Sequence, residues 1–162
     1  MNSIPISSEG YEKIRKELEE LKKERPGVIL AIKLAREEGD LRENAGYHAA
    51  RERQGMLEAK INYIESRVPK FDIIDMNTLD GDKIMFGATV EVEDLDTDEV
   101  KTLILVGPDE TDHVKNAISV LSPVGRALLG KAEGDEVAID VPRGSIEYEI
   151  LSVSYNGPAI KD

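Results

Sequence analysis

Two stretches of this chain repeat apolar residues on alternating steps of three and four, with only a short interruption between them. The first runs Tyr11, Ile14, Leu18, Leu21, Val28, Ile32 and Ala35, with Arg25 standing where one more apolar side chain would fall. The second runs Tyr47, Ala50, Gln54, Leu57, Ile61, Ile64 and Val68. Such spacing lines up one narrow stripe on a helix, the seam of a coiled coil rather than a broad globular face. Glu, Lys and Arg crowd the flanking positions, as a solvated helix requires. Ser7 or Ser8 can cap the first helix near Glu9, Gly39 ends it in a left-handed turn, and Pro69 stops the second. Pro26-Gly27 is expected to kink or briefly break the first helix. Two matching seams joined by a few residues bury their stripes against each other as an antiparallel pair. At ~1.5 Å per residue the arms reach about 40 Å. No third helix is available to cover them, so the Glu37–Asn44 tip is expected to project from any globular body.

Beyond Phe71 the pattern changes to short strands and turns. Ala88–Glu93, Val100–Val106, Ala117–Leu121, Glu136–Val141 and Ile146–Val153 read as strands. Ser122-Pro123 opens a short helix that ends at Gly130, with Ser as cap and Pro in the first turn. The fold class is therefore α+β: an N-terminal antiparallel coiled-coil hairpin over 1–75, then a small antiparallel-sheet domain with one short helix over 76–162. Charge marks the same boundary. Residues 1–75 carry 14 Lys and Arg against 15 Asp and Glu, whereas residues 76–162 carry 7 against 18.

The formal net charge of −12 makes the whole chain a poor grip for duplex DNA. Cysteine is absent, which removes disulfides and thiolate metal sites and suits a reducing compartment such as the cytoplasm. No run approaches the ~20 apolar residues of a membrane helix, and no signal peptide is evident, so no membrane partner is expected. A hairpin that satisfies its own seam is expected to be monomeric.

Asp40 and Glu43 at the interruption admit two readings. Asp-x-x-Glu at a helix start is a variant capping box, and two acids suit the helix dipole. The same carboxylates could supply part of the oxygen shell of a divalent cation, but an exposed tip cannot enclose one, so a catalytic metal would have to be shared with another macromolecule. Arg36, Arg42, Arg51 and Arg53 crowd the same end, either as ion-pair partners of Glu37, Glu38 and Glu52 or as a local patch for RNA phosphates. His48 and His113 are too isolated for zinc and read as surface residues. There is no nucleophile motif and no phosphate loop.

The run Gly39-Asp40-Leu41-Arg42-Glu43-Asn44-Ala45-Gly46-Tyr47-His48-Ala49-Ala50-Arg51-Glu52 resembles the tip signature of the bacterial Gre transcript-cleavage factors, most closely those of the GreA type. Ile4-Pro5, the strand Phe86-Gly87-Ala88-Thr89-Val90, and Ser119–Lys131 with its Ser122-Pro123 share the resemblance. It extends to about Tyr155. It implies an FKBP-like second domain that docks at the rim of the RNA polymerase secondary channel through Ser122, Pro123 and Arg126 while the hairpin enters. It implies that Asp40 and Glu43 help hold a second Mg²⁺ in the polymerase's own active site. Arg36, Asn44, Tyr47 and Arg51 would then contact the backtracked 3′ end of the nascent RNA. No cofactor would be stably bound, Mg²⁺ being shared only in the complex, and the chain would have no nuclease activity alone. The family usually has Glu where this chain has Gly46, which keeps open a channel-binding regulator or inhibitor that does not promote cleavage. A coiled-coil chaperone or adaptor is a third reading. A prolyl isomerase is disfavoured, because residues 76–162 offer only Phe86, Tyr148 and Tyr155 as an aromatic lining.

Overall fold

The computed structural model describes residues 3–39 and 43–157. The chain forms two compact units, Ile14–Lys70 and the combination of Met1–Lys13 with Phe71–Asp162. This grouping differs from the sequence-drawn division at 75/76 in residues 1–13 and 71–75. The reason is a two-stranded parallel ladder between β1 (Ile4–Ser7) and β2 (Phe71–Ile74), in which Ile4 faces Phe71 and Ser7 faces Ile74. Ile4 and Ile6 are buried, and Tyr11 sets its ring edge-on to Phe71 at 6.2 Å. Four residues are too few for alternation to announce a strand, so β1 has no signature in the sequence.

The unit Ile14–Lys70 is the helical hairpin. It is built from α1 (Ser8–Arg36), which begins outside this unit, and α2 (Ala45–Arg67). Val28, Ile32, Ala50, Leu57 and Ile61 form its buried cluster, with Leu18, Leu21, Ala31 and Tyr47 packed around them. Val28 and Ile61 are fully enclosed, and burying such a side chain stabilises by about 1.5–3 kcal/mol. Arg25, the polar break in the seam, reaches across to Glu58. Its Nε donates to Oε2 at 2.8 Å and its Nη2 to Oε1 at 2.7 Å. That hydrogen bonding raises the guanidinium pKa and holds the Glu58 carboxyl below the ordinary carboxylate range. Both side chains remain more than a third exposed, so the pair contributes more to register than to stability. Lys22 and Glu65 make a second cross-pair at 3.4 Å.

Pro26-Gly27 does not break α1, which is continuous from Ser8 to Arg36. A proline inside a helix costs roughly 3 kcal/mol. Buried Val28 and Ile32 on one side and the bidentate Arg25–Glu58 pair on the other hold the segment helical against that cost.

The second unit holds a five-stranded sheet in the order β5-β4-β3-β7-β6. Its strands are β3 (Thr89–Asp94), β4 (Val100–Val106), β5 (Ala117–Ser119), β6 (Glu136–Val141) and β7 (Gly144–Ser154). All neighbours are antiparallel except β4 and β5, which pair in parallel. A register shift between Glu91 and Val92 lets β3 curl against β7. One face packs Val90, Val92, Leu105, Val137, Ile139, Tyr148 and Ile150 with Leu128 of the short helix α3 (Pro123–Leu128). A smaller cluster of Met76, Ile104, Val106 and Val114 covers the other side of β4, which is why its end reads as an unbroken apolar run. The class is α+β, a helical hairpin followed by a curled sheet with one short helix, consistent with an FKBP-like domain.

A buried carboxylate fastens the start of α1 within this unit. Glu110 is fully enclosed and accepts the Ser7 and Gly107 backbone N–H groups on Oε2, each at 2.9 Å, while the Ser7 hydroxyl donates to Oε1. Ser7 Oγ in turn accepts the Gly10 N–H at 3.0 Å and so serves as the cap of α1. A Cβ at Gly10 would lie 2.4 Å from Glu110 Oε1, so only glycine fits there. Burial pushes the Glu110 carboxyl above the ordinary carboxylate range, and the bonds from Ser7 and Gly107 oppose that shift.

Candidate functional site at the end of the hairpin

The last turn of α1 tightens before it stops. Glu37 N–H donates to Lys33 O at 3.3 Å, then Glu38 and Gly39 bond three residues back to Ala35 and Arg36. Gly39 takes φ +111°, a conformation side chains disfavour, which matches its expected role as the terminator. Asp40, Leu41 and Arg42 lie outside the described residues, so the expected roles of Asp40 and Arg42 carry no structural account. Glu43 is described and exposed.

The expected Asp40–Glu43 capping box does not start α2. Its cap is Asn44, in an extended conformation, whose Oδ1 accepts the Tyr47 N–H at 2.9 Å. Asp and Asn cap equally well, so spacing to the following helix cannot choose between them; the chain path does. The same amide donates through Nδ2 to Ala35 O of α1 at 2.6 Å. Asn44, expected to touch RNA, thus has its amide engaged at both ends within the hairpin.

Tyr47 packs against the hairpin cluster with its ring partly exposed. The Arg36 guanidinium carbon stands 5.9 Å from its ring centroid, and the His48 ring lies at 5.7 Å on an edge. The three described arginines of that cluster line two different grooves. Arg36 and Arg51 share a shallow groove of about 200 Å³ with Lys33, Ile29, Ile32 and Gln54, a lining with three cations and no acid. Arg53 lines a different groove with Lys60, Glu24 and Glu52, where charges balance. Among the described residues neither Arg36 nor Arg51 joins an ion pair with Glu37, Glu38 or Glu52. Lys33 escaped sequence reasoning, since only its position on the helix face brings it to Arg51.

In the sheet unit, Ser122 caps α3. Its Oγ accepts the Gly125 N–H at 3.0 Å and donates to Ser119 O at 2.7 Å. Pro123 and Arg126 are exposed beside Leu121, which is half exposed. Among the described residues no group of three or more His, Asp or Glu side chains could hold a metal ion, and no helix is long and apolar enough to cross a membrane.

A long helical hairpin with an exposed acid at its turn and a cation-lined groove along its helices, followed by a curled sheet with one short helix, defines a two-domain coiled-coil factor. Two family models match it: the transcription elongation factor N-terminal domain over residues 4–73 and the GreA/GreB C-terminal domain over residues 79–155. The chain is 66% identical over 158 residues to the transcription elongation factor GreA of Solidesulfovibrio magneticus, covering 98% of this chain and 96% of that one. The GreA of Thermodesulfovibrio yellowstonii is 48% identical over 94% of this chain and 97% of its own length. A solved structure, GreA factor homolog 1 of Thermus thermophilus, is 27% identical with a TM-score of 0.45, over 94% of this chain and 99% of that one. The chain belongs to the GreA/GreB family of transcription elongation factors.

Proposed function

We propose that this chain stimulates RNA polymerase to cleave its own backtracked transcript, entering the secondary channel with the hairpin and delivering Asp40 and Glu43 to the polymerase's active site. The observation that carries this reading is the cap of α2. Asn44 fills that position, so Glu43 stands exposed at the hairpin end and is not consumed by capping. One or two carboxylates with open positions suit Mg²⁺, which keeps several waters and takes further ligands from a partner. Asp40 and Glu43 would hold such an ion jointly with the polymerase, where it would activate the attacking water and stabilise the leaving oxygen of the RNA.

The remaining residues bind and orient. Lys33, Arg36 and Arg51 offer three cations to the phosphates of the RNA 3′ segment. Tyr47, partly exposed beside Arg36, offers its remaining ring surface to a base next to them. Ser122 fixes the start of α3, and Pro123 and Arg126 on it present the face that docks on the polymerase. The chain has no nuclease activity alone, works in the bacterial cytoplasm as a monomer, and rescues arrested complexes by creating a new 3′ end.

The test is RNA cleavage in stalled, backtracked elongation complexes. Wild type should accelerate cleavage, whereas Asp40→Ala and Glu43→Ala should each lose well over about tenfold, since even an outer support of a metal ligand is worth about 10–100-fold, with polymerase binding retained. Equal acceleration by all three removes the metal role. Binding without acceleration by wild type would make the chain a channel-binding regulator instead.

A further inference from the structure

We infer that Asn44 is a positioning residue for the Glu43 carboxylate, tying the start of α2 beside it to the last turn of α1. The inference rests on the cleavage role proposed above and adds a residue to it. Asn44 stands next to Glu43 in the chain, and its carboxamide serves both helices at once. Nδ2 donates to Ala35 O in the last turn of α1 at 2.6 Å, and Oδ1 accepts Tyr47 N–H in the first turn of α2 at 2.9 Å. Its own carbonyl accepts the His48 N–H at 3.1 Å. Ala35 is buried, so the tie is anchored on the packed end of the seam.

A carboxamide presents donor and acceptor on one flat group, which is what this bridge needs. Serine and aspartate cap a helix about as well as asparagine, yet aspartate has no donor for Ala35 O, and the single hydroxyl of serine, one atom shorter, cannot span from Tyr47 N–H to Ala35 O. Gly46 leaves the bridge room, since a Cβ there would stand 3.3 Å from Asn44 Oδ1. The Arg36 guanidinium over Tyr47 adds a second link between the helices beside the first. With Asn44 bonded to both helices, Glu43 leaves a backbone fixed on its C-terminal side. Catalytic groups must be held within roughly 0.5 Å, and misplacement by about 1 Å can cost about 10²-fold.

The test compares Asn44→Ser and Asn44→Asp with wild type in backtracked complexes. It reads the maximal cleavage rate at saturating factor, the factor concentration giving half that rate, and the Mg²⁺ concentration giving half that rate. In both variants the maximal rate at limiting Mg²⁺ should fall about tenfold and the Mg²⁺ requirement should rise, the usual size for loss of an outer support. The half-saturating factor concentration should stay within about twofold, because docking is untouched. Only the aspartate adds charge, so agreement between the variants isolates the lost donor. Amide exchange should show α2 intact in both, and the Asn44 side-chain NH₂ of wild type should exchange slowly. Wild-type rate and Mg²⁺ dependence in both variants would overturn the inference, as would a loss explained wholly by weaker binding or a side-chain NH₂ exchanging at solvent rate. Failure of wild type itself to stimulate would instead sink the cleavage role, and the positioning role with it.

Discussion

Replacing Glu110 separates a hydrogen-bonding role from a charge role. In Glu110→Ala two buried amides, Ser7 N–H and Gly107 N–H, lose their acceptor. Each buried unsatisfied group costs about 1–3 kcal/mol, and the vacated space adds to that, so the sheet unit should lose about 3–5 kcal/mol. That is a large share of the ~5–15 kcal/mol typical of a folded domain. Glu110→Gln keeps an oxygen for both amides and can donate to the Ser7 hydroxyl, so it should cost under about 1 kcal/mol. The two forms should also differ in pH dependence. Burial raises the folded carboxyl, and Glu9, whose Oε2 is buried without a hydrogen-bond partner, adds repulsion. A raised folded value means that the folded state binds the extra proton. The associated stability is fully present below the unfolded glutamate value of about 4.3 and drains as pH rises through the raised folded value. The neutral glutamine does not follow that curve, so its stability relative to wild type should increase from pH 4 upward and then level off. Urea unfolding between pH 4 and 8, read by hydrogen exchange at sheet-unit amides, measures both effects. An alanine cost below about 1 kcal/mol, glutamine as damaging as alanine, or a pH-independent gap would refute the reasoning.

Two further perturbations address docking and RNA contact. A Cβ at Gly125 would lie 2.0 Å from Ser119 O, so Gly125→Ala should displace the start of α3, cost about 1–3 kcal/mol in thermal unfolding, and weaken polymerase binding more than it slows cleavage at saturation. Arg36→Ala and Arg51→Ala should each raise the factor concentration needed for half-maximal cleavage and flatten its salt dependence by about one ion per lost phosphate contact; a salt slope identical to wild type would reduce the groove to ordinary surface.

The hairpin was legible because its information is local. Ile14, Val28, Ile32, Ala35, Ala50, Leu57, Ile61 and Ile64 are the buried seam residues of the two helices, and every one lies on the three-four spacing. Val100–Val106 and Glu136–Val141 were bounded as observed, since alternation or an apolar run flanked by turn residues needs no distant partner. The tip signature was equally readable as a string of residue types. Its capping arrangement was not, because Asp40 and Asn44 are chemically equivalent candidates until the chain path places one of them at the helix start.

By itself, then, the order of residues settled which faces are apolar, where helices and strands lie, and that carboxylates and cations gather at one turn. Tertiary structure alone decided what joins elements far apart in the chain: β1 on β2, Arg25 on Glu58, Ser7 on Glu110, Asn44 on Ala35, and Lys33 in the groove with Arg51. Periodicity follows from the geometry of a single helix or strand, so it is written within a few residues. A long-range hydrogen bond depends on which surfaces meet, and no local pattern encodes that.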